Sequence, residues 1–121
     1  MPEHANIFYT EDNRMLASEY FHLFSMFGHT VYHASTLEGA LELIQHFEEL
    51  NLDVAVLDAN LASADISNTD GALIIAAIRE KSSILPIIGL TGSKEFEGTS
   101  VVFSKDEIDT PGKLLTYIEQ L

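Results

Sequence analysis

Two adjacent carboxylates at Glu11 and Asp12, a third at Asp58, a hydroxyl at Thr91 and an ammonium at Lys105 are the side chains here whose types could work together. Each sits at the exit of a short apolar run: IFYT leads into Glu11, VAVL into Asp58, IIGL into Thr91 and VVFS into Lys105. Gathering three carboxylates is costly, since two like charges about 4 Å apart repel by about 4 kcal/mol at an effective dielectric near 20. A divalent cation removes that conflict. Mg2+ prefers octahedral oxygen ligands, keeps several waters and is commonly held by one or two carboxylates. An ionised carboxylate can also serve as a nucleophile, and a nearby ammonium and hydroxyl can stabilise charge that develops on a transferring group. Singly, none of the five is informative: acids cap helices, Asp and Thr begin loops, and lysines often end strands. Only their convergence would make a site.

The elements needed for convergence can be read from apolar periodicity. Residues 7–10 form a short β-rich run, followed by a helix over about 14–27 with Leu16, Tyr20, Leu23, Phe24 and Phe27 at helical spacing and Gly28 as its stop. Residues 30–34 read as a second strand. Ser35 with Glu38 fits a capping box, and the next helix carries Leu37, Leu41, Ile44 and Phe47 on one stripe before Asn51 breaks it. Residues 53–57 are nearly all apolar without alternation, as in a central parallel strand covered on both faces. A helix over about 70–81, strands at 86–90 and 101–103, and a last helix capped by Asp109 or Thr110 complete the chain. In that helix Pro111 takes the first position, and Leu114, Leu115, Ile118 and Leu121 face inward. Alternating strands and helices predict an α/β fold with a doubly wound five-stranded parallel sheet, whose ligand site lies at the carboxyl ends of the strands.

The chain has 121 residues, 46% of them hydrophobic, enough for the core of one domain over 1–121. No apolar run approaches the roughly 20 residues that cross a bilayer, and the N-terminus has no basic-then-apolar signal pattern, so a cytoplasmic protein is expected. Six Lys plus Arg against 19 Asp plus Glu give a formal charge of −13, which argues against direct binding to nucleic acid or anionic lipid. Cysteine is absent, so there is neither a disulfide framework nor a thiolate metal site. His4, His22, His29, His33 and His46 show no metal-like spacing and are read as solvated or partly buried, without a role. Met15, Phe21 and Met26 widen the apolar face of the first helix and mark either a partner surface or, the favoured reading, a deeper core.

The ordered set Glu11, Asp12, Asp58, Thr91 and Lys105, in the contexts IFYTEDN, VAVLD, IIGLT and VFSK, resembles the CheY-like receiver domains of bacterial two-component response regulators over essentially the whole chain. The resemblance implies a flavodoxin-like fold and a phosphoacceptor role for Asp58. It further implies Mg2+ (or Mn2+) held by Asp12, Asp58 and the backbone carbonyl of Asn60, with Glu11 acting through water, and Thr91 and Lys105 on the phosphoryl oxygens. The implied partners are a histidine kinase or phosphotransfer protein and a downstream protein target, and no enzyme activity is expected. A receiver-like interaction module that is never phosphorylated is the alternative. An aspartyl-phosphate phosphatase is disfavoured, because Asn60 stands where such enzymes place a second carboxylate. No output domain is expected after the last helix, and a stand-alone regulator, a phosphorelay intermediate and a piece of a larger protein are all compatible with this reading.

The sequence also departs from the family. Eleven residues, 59–69, separate Asp58 from Asp70–Gly71, more than usual, with Ala62 near the customary proline. Conversely, only nine residues, 92–100, connect the fourth strand to the fifth, where a parallel crossover normally needs at least roughly 10 to 12. The family's fourth helix is therefore expected to be reduced or missing. Val102 stands at the position of the family's switch aromatic, with Phe103 one place later, and Asp106 replaces the proline after the lysine. Any response to phosphorylation is accordingly expected in 59–69 and 91–100, with little change in the last helix.

Overall fold

The computed structural model describes residues 4–58, 69–91, 98–104 and 110–121. Strand β1 (Asn6–Thr10) leads into helix α1 (Arg14–Met26), then β2 (Thr30–Ala34), α2 (Leu37–Gln45), a single turn α3 (Phe47–Leu50) and β3 (Val54–Asp58). Helix α4 (Thr69–Lys81), β4 (Ile87–Thr91), β5 (Val101–Ser104) and α5 (Thr110–Glu119) follow. All four strand pairings are parallel, in the order β2-β1-β3-β4-β5. This is the doubly wound, flavodoxin-like arrangement expected from the sequence: every strand runs the same way, and the order in which strands are added across the sheet reverses between β1 and β3.

Period-two alternation divides the sheet into two apolar faces. Phe8, Ala55, Leu57 and Ile87 pack with Ala40 and Ile44 of α2 and Ile74, Ile75 and Ile78 of α4. Ile7, Tyr9, Val54, Val56, Ile88 and Leu90 pack with Ala17, Tyr20 and Phe24 of α1 and Leu114, Leu115 and Ile118 of α5. Strand β3 is buried at all five positions, as its unbroken apolar run requires.

Local signals fix the helix ends, though not always those expected. Asn13 caps α1 by accepting from the Leu16 N–H at 3.1 Å. At the other end Gly28, at φ 86°, carries a Schellman pair: its N–H donates to Ser25 O and the His29 N–H to Phe24 O. A side chain at Gly28 would also meet His4 Nδ1 at 2.8 Å. Helix α2 is capped by Thr36, whose Oγ1 accepts from the Gly39 N–H at 3.0 Å, and not by the expected Ser35. Asn51 ends α3 in the left-handed region at φ 51°.

Several side chains correct the sequence reading. Met15, Phe21, Met26 and Phe27 are exposed rather than core, because α1 turns the stripe through Ala17, Tyr20 and Phe24, flanked by the partly buried Leu16 and Leu23, toward the sheet. His29, read as solvated or partly buried, has a fully buried side chain: its Nδ1 accepts from the Ala5 N–H at 3.0 Å, and its Nε2 lies 3.4 Å from Glu119 Oε2. Of the expected extended loop 59–69, residues 59–68 lie outside the described residues and Thr69 already belongs to α4; of the short connection 92–100, residues 92–97 lie outside them and 98–100 are not helical. Among the described residues, no helix is long and apolar enough to cross a membrane.

Candidate metal and phosphoacceptor site

The reversal between β1 and β3 opens a crevice at the carboxyl ends of these two strands, and the acidic residues stand there. Glu11, Asp12 and Asp58 each offer a ligand atom within 4.8 Å of the others, the group Glu11 and Asp58 being buried and Asp12 half-buried. At that separation each pair of carboxylates repels by about 3 kcal/mol at an effective dielectric near 20. Three hard oxygen donors in one buried corner can hold a divalent cation of the Mg2+ type, so the donor set fits the implied metal.

Each acid is held by its surroundings. The Glu11 N–H continues the β1–β2 pairing by donating to Ala34 O at 3.1 Å, and its Oε2 accepts from the Asn13 N–H at 3.1 Å. Its carbonyl oxygen accepts from His33 Nε2 at 2.9 Å, which places the imidazole proton on that nitrogen. Asp58 ends β3 opposite Leu90, and its N–H donates to Thr10 Oγ1 at 3.0 Å. Thr91 is the last residue of β4 and pairs with Ser104, the last of β5. Lys105 and Asn60 lie outside the described residues. The chain on either side of Lys105 is nonetheless tied together, because the Thr110 hydroxyl donates to Ser104 O at 2.6 Å.

Sequence reasoning missed the shell beneath the acids: Tyr9, Thr10, Asn13 and His33. Two hydroxyl-bearing residues after the apolar pair Ile7–Phe8, Tyr-Thr before Glu-Asp, were the available signal. Tyr9 is fully buried, its ring packed on Tyr20, Phe24 and His33, with centroids 5.8, 6.2 and 5.4 Å away. Its hydroxyl has no hydrogen-bond partner among the described residues. Burial pushes the Tyr9 phenol well above its ordinary range, with Glu11 and then Tyr20, Asp58 and Glu19 adding to the rise. Burial, with Glu11 and Glu19, likewise pushes Tyr20 up to about 12.

These phenols have a measurable consequence. The folded state keeps them neutral while the unfolded chain ionises them above about pH 10, so their contribution to stability is complete below that pH and is lost as pH rises beyond it. Tyr9→Phe removes a buried hydroxyl whose desolvation costs on the order of 1 kcal/mol, and is expected to raise the melting temperature by about 3–5 °C. The variant should also lose less stability between pH 10 and 12. Thermal denaturation against pH checks both effects, and an unchanged or lowered melting temperature at neutral pH would contradict the first.

No protein-family description matches this sequence, and no curated protein matches it. Solved structures do. The N-terminal domain of a response regulator/sensory box/GGDEF three-domain protein from Carboxydothermus hydrogenoformans is 25% identical, with a TM-score of 0.74 over 94% of this chain and 90% of that one. The Vibrio cholerae chemotaxis protein CheY4 is 21% identical, with a TM-score of 0.77 over 97% and 98% of the two chains. The response regulator TrrA from Thermotoga maritima, solved with Mg2+ and BeF, is 18% identical, with a TM-score of 0.73 over 98% of both. The chain therefore has the CheY-like receiver fold.

Proposed function

We propose that this chain is the phosphoacceptor receiver of a two-component signalling system, and that Asp58 takes a phosphoryl group from the phosphohistidine of a histidine kinase or phosphotransfer protein. The observation that carries this reading is the convergence of Glu11, Asp12 and Asp58 within 4.8 Å at the topological switch point of a receiver fold.

A bound Mg2+ would neutralise the acidic corner and polarise the phosphoryl oxygens. In this reading Asp12 and Asp58, with the carbonyl of Asn60, would hold the ion, and Glu11 would support it through water. An Asp58 carboxylate oxygen attacks phosphorus while the P–N bond to the donor imidazole breaks; the nitrogen keeps the electron pair and is protonated on leaving. Thr91 and Lys105 are assigned to the equatorial oxygens, where a hydroxyl and an ammonium stabilise redistributed charge. The product signals through contacts with a downstream protein rather than by turning over a substrate. With a formal charge of −13, this domain is assigned no direct contact with nucleic acid or membrane.

Phosphoramidate, whose P–N bond stands in for phosphohistidine, tests the reading directly. Intact mass after incubation with Mg2+ should show one added phosphoryl group, and a chelator should prevent it. A protein that gains no mass with saturating donor and Mg2+ would instead be a receiver-like interaction module.

A further inference from the structure

Strand β1 ends in a buried hydroxyl that its role in the sheet does not call for. Thr10 is fully buried, in a strand whose preceding three residues are Ile7, Phe8 and Tyr9. Valine would fill the same space with at least equal strand preference and without a polar atom to satisfy. What the hydroxyl does is specific: it accepts the Asp58 N–H at 3.0 Å in a buried setting.

The location gives that bond its meaning. The β1–β3 pairing ends with Thr10 opposite Leu57, so Asp58 lies one residue past the last paired position, as Glu11 does on the other strand. Between the two exits, the Thr10 hydroxyl is a side-chain tie from the strand that carries Glu11 and Asp12 to the residue that carries the acceptor carboxylate. A main-chain N–H fixed in this way sets the direction of the Asp58 Cα–Cβ bond, and hence where its carboxylate stands relative to the other two acids.

We propose that Thr10 is a positioning residue, whose hydroxyl locks the β1 exit to the β3 exit and thereby sets the separation of Glu11 and Asp12 from Asp58. The inference rests on the phosphoacceptor reading of Asp58 but can fail separately from it. Without the hydroxyl, the hydrogen bond from the Asp58 N–H to β1 is lost and the acceptor drifts out of register with the metal-binding acids. Displacements of about 1 Å at a reacting centre can reduce rates by roughly a hundredfold, and a drift of a few tenths of an ångström is expected to cost roughly tenfold.

The test compares wild type with Thr10→Val and Thr10→Ala, which lack the hydroxyl, and with Thr10→Ser, which keeps it. Two quantities are read on the full chain: the initial rate of phosphoryl incorporation at saturating Mg2+, and the Mg2+ midpoint from thermal shift. Val and Ala variants should be slowed roughly tenfold, with the Mg2+ midpoint raised several-fold, while Thr10→Ser regains most of both. A purely structural role would lower the melting temperature of all three variants without separating Ser from Val and Ala in either quantity. Wild-type rate and midpoint in Thr10→Val, or a Thr10→Ser as impaired as Thr10→Val, would overturn the proposal. A wild type that takes no label overturns the phosphoacceptor reading instead; the Mg2+ midpoints, which need no transfer, would still decide for or against positioning.

Discussion

Asp58→Asn is expected to take no phosphoryl label under conditions that label the wild type fully. An amide of the same shape is a poor nucleophile and cannot form an acyl phosphate, and among the described acids only Asp58 ends a central strand next to two further carboxylates. Loss of folding would give the same silence, and stability distinguishes the two. Removing one charge from a group in which each pair repels by about 3 kcal/mol should leave the variant, in chelator, at least as stable as the wild type. Labelling of Asp58→Asn at the wild-type level would move the acceptor elsewhere, whereas a large fall in its melting temperature would show that Asp58 is needed for the fold.

The second large effect concerns the metal. A cation that binds the folded chain and not the unfolded one stabilises it by about 2.7 kcal/mol at a hundred times its dissociation constant, which for a domain of this size raises the melting temperature by on the order of 10 °C. Asp12→Ala should abolish that rise. Asp12 is only half-buried, so truncation opens no core cavity, and the variant's melting temperature without Mg2+ should match or exceed that of the wild type. Thermal scans at increasing Mg2+ measure both quantities. An equal Mg2+ response in the two proteins would remove the acidic corner from consideration as the binding site.

Much of this architecture is legible in the sequence because apolar runs and their punctuation decide it. The run VAVLD, with no polar alternation, has the pattern of a strand covered on both faces, and β3 is buried at every position. Pro111 and the spacing of Leu114, Leu115 and Ile118 placed the last helix and its inner face correctly. The three acids at strand exits were legible for the same reason, since strand ends in a doubly wound sheet are where side chains meet.

What was not legible depends on register and on partners remote in sequence. The apolar arc of α1 is wider than the stripe a sheet can cover, and periodicity does not say which part of it remains outside; Met15, Phe21, Met26 and Phe27 do. His29 is buried through Ala5 and Glu119, residues 24 and 90 positions away, which no local pattern announces. The capping choice between Ser35 and Thr36 turned on a single residue of helix phase. The tie from Thr10 to Asp58 spans 48 positions, and it exists only once β1 and β3 have found their register.

The central claim, that Asp58 is the acceptor, is tested most directly by locating the modification. Borohydride reduces an aspartyl phosphate to homoserine with release of phosphate, marking the acceptor with a stable mass change. After exposure to phosphoramidate and Mg2+ and then borohydride, peptide mass spectrometry should find that change at residue 58 and nowhere else. A homoserine at Asp12 or another carboxylate, or phosphate retained on a histidine, serine or threonine with residue 58 unmodified, would contradict it.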